Sequence, residues 1–386
     1  MNVYYITDIV LDNTTVHTIH ITEICTGLVA LGNSLTLYAP STTKFQPTDR
    51  KYYVNFILTP HWMLSVFYQI HLFFRLCHDV FAHRPDVMYS RHSQHLFVPA
   101  LVGRLFKIPV ILEVNGKLIE ETSHIANSKF ERAMLLAGAL RFLESFNFKL
   151  ASAVIVVAAG IKNYLVQIYD INSNKITVIP NGVNTKFLTP LPVVESRVKI
   201  GLDERAVYVG YIGSLHVWQG LRFIAEAARL VCAQRPNVKF LIVGDGDEAG
   251  YLSSFIKDAG LEQKIELRPA VSHELVPTYI NALDICLSYP TKFRSGATSP
   301  FKVYEYLACG KPVVSSDIAG MREEFGDAVA YAAPESPEAL ASALISLIDD
   351  KGKRNHLGVV GRAFVEQGHS WKAVARQTMA VLDTVA

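Results

Sequence analysis

Lys302 and Glu305 stand three residues apart in the stretch SPFKVYEYLACGKPVVSSD, residues 299–317. Ser299 suits a helix N-cap, Pro300 the first helical position and Gly310 a stop, so a helix is expected that ends at Cys309. On it Lys302 falls in the first turn and shares a face with Glu305. A helix amino terminus carries roughly half a positive charge, so a lysine there is disfavoured by about a few tenths of a kcal/mol unless an anion joins it. The plainest use of the two residues is a surface ion pair, worth only about 0.3 kcal/mol. Their context favours another. The preceding loop TKFRSGAT supplies Arg294, Ser295, Gly296 and Thr298, and the following GKPVVSSD reads as a buried strand. A lysine, an arginine and a helix terminus opened by Ser299, Pro300 and Phe301 make a clamp for a diphosphate. Glu305, one turn deeper, is placed to accept ribose hydroxyls.

Two glycine turns precede this stretch. GSLHVWQG, residues 213–220, ends a strand and precedes the helical LRFIAEAARLV. Backbone amides around Gly213, Ser214 and Gln219 suit a phosphate, with a plain turn as the equal alternative. GDGDEAG, residues 244–250, approaches a dinucleotide fingerprint but has one residue too many before its last glycine. Asp245, Asp247 and Glu248 would crowd a pyrophosphate, so NAD is not expected, and Gly244 is read as a turn lining a ligand.

These groups need elements to hold them. Short β-branched or aromatic runs at 2–9, 34–40, 86–90, 109–115, 153–158 and 175–180 alternate with helical patterns, and after the Pro-rich NGVNTKFLTPLP the alternation restarts at 206–213, 238–244, 264–270, 284–290 and 311–317. That is the pattern of two doubly wound parallel α/β sheets, joined near residues 184–200, with ligands at the strands' carboxyl ends and a cleft between the units. A chain of 386 residues with 50% hydrophobic content can bury such cores. Up to residue 186 there are 16 Lys and Arg against 12 Asp and Glu, and beyond it 21 against 23. This balance excludes a duplex-DNA footprint, and no nucleic-acid partner is expected. The first residues show no basic-then-apolar leader, which points to a cytoplasmic location. Five scattered cysteines have no metal-site spacing and read as buried thiols.

VIPNGVNTKF (178–187), YIGSLHVWQGL (211–221), LIVGDGDE (241–248) and SPFKVYEYLACGKPVVSSD, in this order, resemble the family-4 retaining glycosyltransferases of GT-B fold. RPDVMYSRHS (84–93) and KIPVILEVNG (107–116) are similar to that family's acceptor-side domain, and SWKAVARQ (370–377) to its closing helix. The resemblance implies an acceptor-side Rossmann-like domain over 1–185, a donor-binding one over 186–369, and a helix over 370–386 packing back on the first. It also implies sugar transfer from a nucleotide diphosphate donor, a UDP- or GDP-sugar, to a saccharide, lipid-linked or small-molecule hydroxyl. Anomeric configuration would be retained, without metal or other cofactor, in a hexosyltransferase-type reaction of polysaccharide biosynthesis. The anion awaited by Lys302 would be the donor diphosphate.

Departures from the family pattern are informative. Ser214 and Gln219 stand where the family commonly has an arginine and a lysine, and Ala297 replaces the first of its paired glutamates. Lys302 is a candidate replacement for the lost cations. On the acceptor side, Arg91 and His92 follow a strand where a histidine is frequent. Arg91 is a candidate to hold an anionic group or donor phosphate, and His92 either an acceptor contact or a core histidine. Glu113 and Asn115, polar in an apolar run, are candidates to orient the acceptor hydroxyl, with a structural hydrogen-bond role as the alternative. Thr14 and Thr15, in DNTTVH where the family has a glycine-rich loop, offer hydroxyls to the donor. Apolar runs over 62–81 and 130–150, interspersed with Arg75, Arg132, Arg141 and Lys149, are too interrupted to span a bilayer. Core helices are the favoured account of them. The alternative is peripheral contact with the inner face of the membrane, suited to a lipid-linked acceptor. Against a transferase stand three other functions: an inactive sugar-nucleotide-binding module, a sugar-nucleotide epimerase and a NAD-dependent dehydrogenase.

Overall fold

Strand-forming runs of valine, isoleucine and tyrosine become two wholly parallel sheets in the computed structural model, which describes residues 1–11, 16–41, 52–58, 64–93, 96–116, 130–297 and 299–386. The first unit comprises Met1–Pro180 with Trp371–Ala386, and the second Asn181–Ser370.

In the first unit the strands are β1 (Asn2–Ile6), β2 (Ser34–Ser41), β3 (Tyr53–Leu58), β4 (Val87–Arg91), β5 (Val110–Val114), β6 (Ala153–Val156) and β7 (Ile176–Val178), in spatial order β3-β2-β1-β4-β5-β6-β7. Every residue of β4, β5 and β6 is buried, as expected of parallel strands covered on both faces. The helix Trp371–Val385 packs on the helix Val16–Ala30. Their approach is close: a Cβ on Gly27 would lie 2.5 Å from the Ala375 Cβ, so any larger residue at 27 pushes the two helices apart.

The second unit holds β8 (Val207–Ile212), β9 (Val238–Val243), β10 (Ile265–Arg268), β11 (Ile285–Ser288), β12 (Val313–Ser316) and β13 (Ala330–Ala332), in order β10-β9-β8-β11-β12-β13. In each sheet the strand order reverses once, between β1 and β4 and between β8 and β11. Loops leaving the carboxyl ends at such a reversal diverge and open a crevice, which is where ligands of doubly wound sheets sit. β3 and β13 were not expected from the sequence, and both are edge strands.

Candidate active site

The crevice of the second sheet brings three of the sequence motifs together. Gly213 follows β8, and the helix Phe301–Ala308 follows β11. From that helix the Lys302 ammonium donates to the Tyr211 hydroxyl at 2.5 Å and to Gln219 Oε1 at 2.9 Å, and lies 4.0 Å from the centre of the Tyr211 ring. Gly213, with φ +150°, leaves the lysine its space, since a Cβ there would come within 3.1 Å of Nζ. Gly244, at the end of β9, is also obligatory: its Cβ would meet the Gly213 carbonyl oxygen at 1.9 Å.

Among the described residues no carboxylate forms an ion pair with Lys302, and the Glu305 carboxylate accepts no hydrogen bond. The surface ion pair considered from the spacing is therefore not formed. Burial pulls the Lys302 ammonium down to about 7, with Arg294 adding to the fall and Glu305 opposing it. Burial pushes the Glu305 carboxyl up to about 7 against the pull of Lys302. Each group is held away from its ordinary charge state, which is the condition of a site awaiting a charged ligand. Gln219, where the family commonly has a lysine, thus serves here as a neutral acceptor for Lys302.

The helix begins one residue later than the sequence suggests. Pro300 is its N-cap residue, no side chain caps it, and it ends at Ala308 rather than Cys309. Ser299 is drawn elsewhere: its hydroxyl accepts from the Asn181 amide at 3.1 Å and donates to Glu324 at 2.9 Å, while Asn181 Nδ2 donates to the Ser299 carbonyl at 2.7 Å. Tyr304 also donates to Glu324, whose carboxyl burial pushes up to about 7. Ser299 thus anchors the loop behind the helix instead of facing a ligand with its hydroxyl. Pro300 and Phe301 are partly buried at the opening of the turn. Arg294 lies near enough to repel Lys302. Thr298 and Thr15 lie outside the described residues, as does Thr14.

Three acids near Gly244 have local partners. Asp245 accepts from the Ala270 amide at 3.1 Å, Asp247 pairs with His216, and Glu248 accepts from Arg222 at 2.7 and 2.9 Å. Tyr211 donates to the Ser214 carbonyl at 2.7 Å, which fixes the turn after β8.

The crevice of the first sheet is organised around Glu113, at 1% exposure. Its Oε1 accepts from Asn115 Nδ2 at 2.6 Å and from Arg91 Nη1 at 3.3 Å and lies 2.7 Å from His20 Nε2; its Oε2 accepts from the Tyr89 hydroxyl at 2.7 Å. Burial alone would raise its pKa, but the charges of His20 and Arg91 and the bonds from His20 and Asn115 hold it well below the usual carboxylate range. Both oxygens are taken, so Glu113 orients neighbouring side chains and does not itself face an acceptor. Arg91 also reaches His17 Nδ1 at 3.1 Å. A guanidinium can only donate, so that nitrogen accepts and the ring proton is on Nε2. Asn115 is partly exposed at the end of β5. His92 corrects its expected acceptor contact: its side chain is 1% exposed, 3.2 Å from Glu144 and packed 4.7 Å from the Phe148 ring. It is a core histidine. Tyr211, Tyr89, His17 and His20 were missed in the sequence; the last two are three apart at the start of one helix, which was the available signal.

Residues 194–364 match the family model for glycosyl transferases group 1, and residues 17–187 match that for glycosyltransferase family 4. The chain belongs to the group 1 glycosyltransferases. An uncharacterized glycosyltransferase of Methanocaldococcus jannaschii is 22% identical over 77% of this chain and 74% of its own length. A D-inositol 3-phosphate glycosyltransferase of Frankia alni is 27% identical, and a GDP-mannose-dependent monoacylated phosphatidylinositol monomannoside mannosyltransferase of Corynebacterium glutamicum 26% identical. These two matches cover 58% and 53% of this chain, and only 57% and 55% of the relatives. The GT-B fold is shared with a glycosyltransferase from Rickettsia africae at TM-score 0.77 and 16% identity, over 100% of this chain and 98% of the other. It is also shared with Anabaena HepE in complex with UDP, at TM-score 0.76 and 17% identity over the whole of both chains. Among the described residues no group of three or more His, Cys, Asp or Glu is placed to hold a metal ion. This transferase holds Lys302 partly buried at the strand-order reversal of its second sheet, with no ion-paired carboxylate among the described residues.

Proposed function

We propose that this glycosyltransferase moves a sugar from a nucleoside diphosphate sugar to an acceptor hydroxyl, retaining the anomeric configuration and using no metal. The observation that carries this reading is Lys302, held in the first turn of an uncapped helix beside Gly213 with no ion-paired acid among the described residues. A diphosphate placed there would restore the lysine's full charge and accept the helix's terminal amides. As the sugar's bond to the diphosphate breaks, negative charge grows on the leaving oxygen, and a fixed cation stabilises that change more than it stabilises the bound donor. The acceptor's proton passes to the same leaving phosphate, so no side-chain nucleophile is required.

Anabaena HepE has been crystallised with UDP and with UDP-glucose, and the Corynebacterium relative is named for GDP-mannose, so a UDP- or GDP-sugar is the donor class proposed. In the first unit we assign Arg91 and Asn115, set in place by Glu113, to positioning the acceptor, a saccharide or lipid-linked hydroxyl. The second unit is the donor-binding one, with Ser214, Gln219 and Gly244 around Lys302. A panel of nucleotide sugars, screened first by thermal shift and then for transfer, tests the reading, because a bound donor raises apparent stability by mass action. Stabilisation by a nucleoside diphosphate sugar with no turnover on any acceptor would favour an inactive binding module. Absence of any stabilisation would reject the donor site.

Transfer activity is expected to survive EDTA unchanged, because the lysine rather than a divalent ion neutralises the diphosphate. Loss on chelation, restored by Mg²⁺ or Mn²⁺, would overturn that assignment.

Glu305 provides a separate check on the ribose. Glu305→Gln keeps its shape, so the fold should change by less than about 1 kcal/mol, while donor affinity should fall by roughly 1 to 3 kcal/mol. Calorimetric titration with the nucleoside diphosphate and its 2′,3′-dideoxy analogue reads the contact directly. Wild type should prefer the hydroxylated ligand and the variant should lose most of that preference; equal discrimination by both would remove Glu305 from the ribose.

A further inference from the structure

The helix Leu64–Ala82 turns an apolar face to solvent. Ile70, Phe74 and Phe81 are 49, 66 and 81% exposed, and at 100° per residue they fall within about 40° of one another. The face continues sideways. The Phe81 ring meets the Phe106 ring edge-on at 5.1 Å, placing the helix Val98–Phe106 and its exposed Leu105 alongside. The helix Phe130–Leu150 packs next to that one and exposes Phe142 at 71%. Core helices, the account favoured from sequence, explain the inner faces of these segments but not this outer one. An apolar stripe of this size on a surface marks an interaction site.

The exposed charges described on these three helices are of one sign. Among the described side chains of the three helices, Arg75, Arg104, Arg141 and Lys149 are exposed, and no exposed side chain is acidic. Asp79 is partly buried, bonded to Tyr38 and Asn55 and paired with Arg75 and His78, which leaves Arg104, Arg141 and Lys149 as the unpaired exposed cations described, and Glu144 is buried against His92 and Tyr169. Aromatic and aliphatic side chains rimmed by cations, with no exposed acid among the described side chains of the three helices, match a surface that is apolar beneath and anionic at its face. None of the helices described is long and apolar enough to cross a membrane.

We propose that this three-helix face docks on the anionic headgroup surface of a lipid bilayer, with Phe74, Phe81 and Phe142 entering the acyl boundary and Arg104 and Arg141 meeting lipid phosphates. Docking of this kind combines buried apolar area with attraction to anionic lipid, and each basic residue contributes about a fivefold gain in binding. It is independent of the donor chemistry and is read without any transfer assay.

The test is co-sedimentation of the full chain with vesicles of phosphatidylcholine alone and with phosphatidylglycerol added to about one third, an anionic fraction at which polybasic attraction operates. Wild type should pellet with the anionic vesicles, less so in high salt, and weakly with the neutral ones. Phe74→Ser/Phe81→Ser should lose roughly tenfold or more of the binding at an unchanged thermal midpoint. Arg104→Glu/Arg141→Glu, which leaves the aromatic side chains in place, should lose a similar amount and keeps the test valid if the first variant misfolds. Sedimentation of both variants equal to wild type would overturn the proposal, as would failure of wild type to pellet with anionic vesicles. A wild-type dimer converted to monomer by Phe74→Ser/Phe81→Ser would also overturn it, because a second copy would then be what covers the face.

Discussion

Lys302→Ala is expected to transfer sugar about 10- to 100-fold more slowly than wild type while unfolding at nearly the same temperature. One charge-assisted contact to a phosphate oxygen corresponds to about 1.5 to 3 kcal/mol, and a contact that strengthens as the leaving group gains charge appears in kcat as well as kcat/KM. The fold should tolerate the change. Lys302 donates only to Tyr211 and Gln219 among the described residues, and Tyr211 keeps its bond to the Ser214 carbonyl when the ammonium is gone. Removing a partly buried charge also removes its desolvation cost. A folded variant with near-normal turnover would reduce Lys302 to a structural lysine and leave the helix terminus without its proposed ligand.

The largest stability effect is expected at Glu113, not in the donor site. Glu113→Gln keeps the shape but leaves the Arg91 guanidinium buried without its carboxylate, and breaking one side of a buried pair costs about 3 to 5 kcal/mol. For a unit of this size that lowers Tm by roughly 6 to 20 °C, measurable by scanning calorimetry. The pH dependence has a definite sign. Because the folded-state pKa lies below the unfolded one, the carboxylate's contribution is fully present above about pH 4.5 and is lost as pH falls towards the folded value. The gap between wild type and variant should therefore narrow on acidification below that pH. A gap that stays constant down to pH 3 would mean that packing, not charge, accounts for the loss.

Much of the fold was legible because parallel strands covered on both faces must be nearly continuous apolar runs, and eleven of them stood out at helix-sized intervals. The two that did not are edges. β3 carries a Tyr53 that is 65% exposed, and β13 is the three-residue AYA, so neither has the uninterrupted apolar run of a central strand. Lys302 was legible for a local reason, a cation in the first turn of a helix. Ser299 was misread because its hydroxyl is claimed by Glu324, 25 residues away, and no local capping rule contains that residue. Glu113 and His92 take the structural roles that their sequence context left open beside acceptor contact. A polar residue at the carboxyl end of a strand faces a ligand unless a helix covers it. Here His20, from the helix Val16–Ala30, covers Glu113, while Glu144 and Phe148 close over His92.

The central claim, that Lys302 awaits the donor diphosphate, is tested most directly by calorimetric titration of UDP and GDP between pH 6 and 9 in buffers of different ionisation enthalpy. Glu305 sits near the same pH, so the comparison is made in a Glu305→Gln background, with and without Lys302→Ala. In the free protein the lysine is pulled down to about 7, and a bound diphosphate must raise it again. Binding at pH 8 should then take up close to one proton, and affinity should fall by up to about tenfold for each pH unit above the free value. Adding Lys302→Ala should abolish both the uptake and this slope. Equal proton uptake and equal pH slopes with and without the lysine would contradict the account, because the charge meeting the phosphate would then belong to another residue.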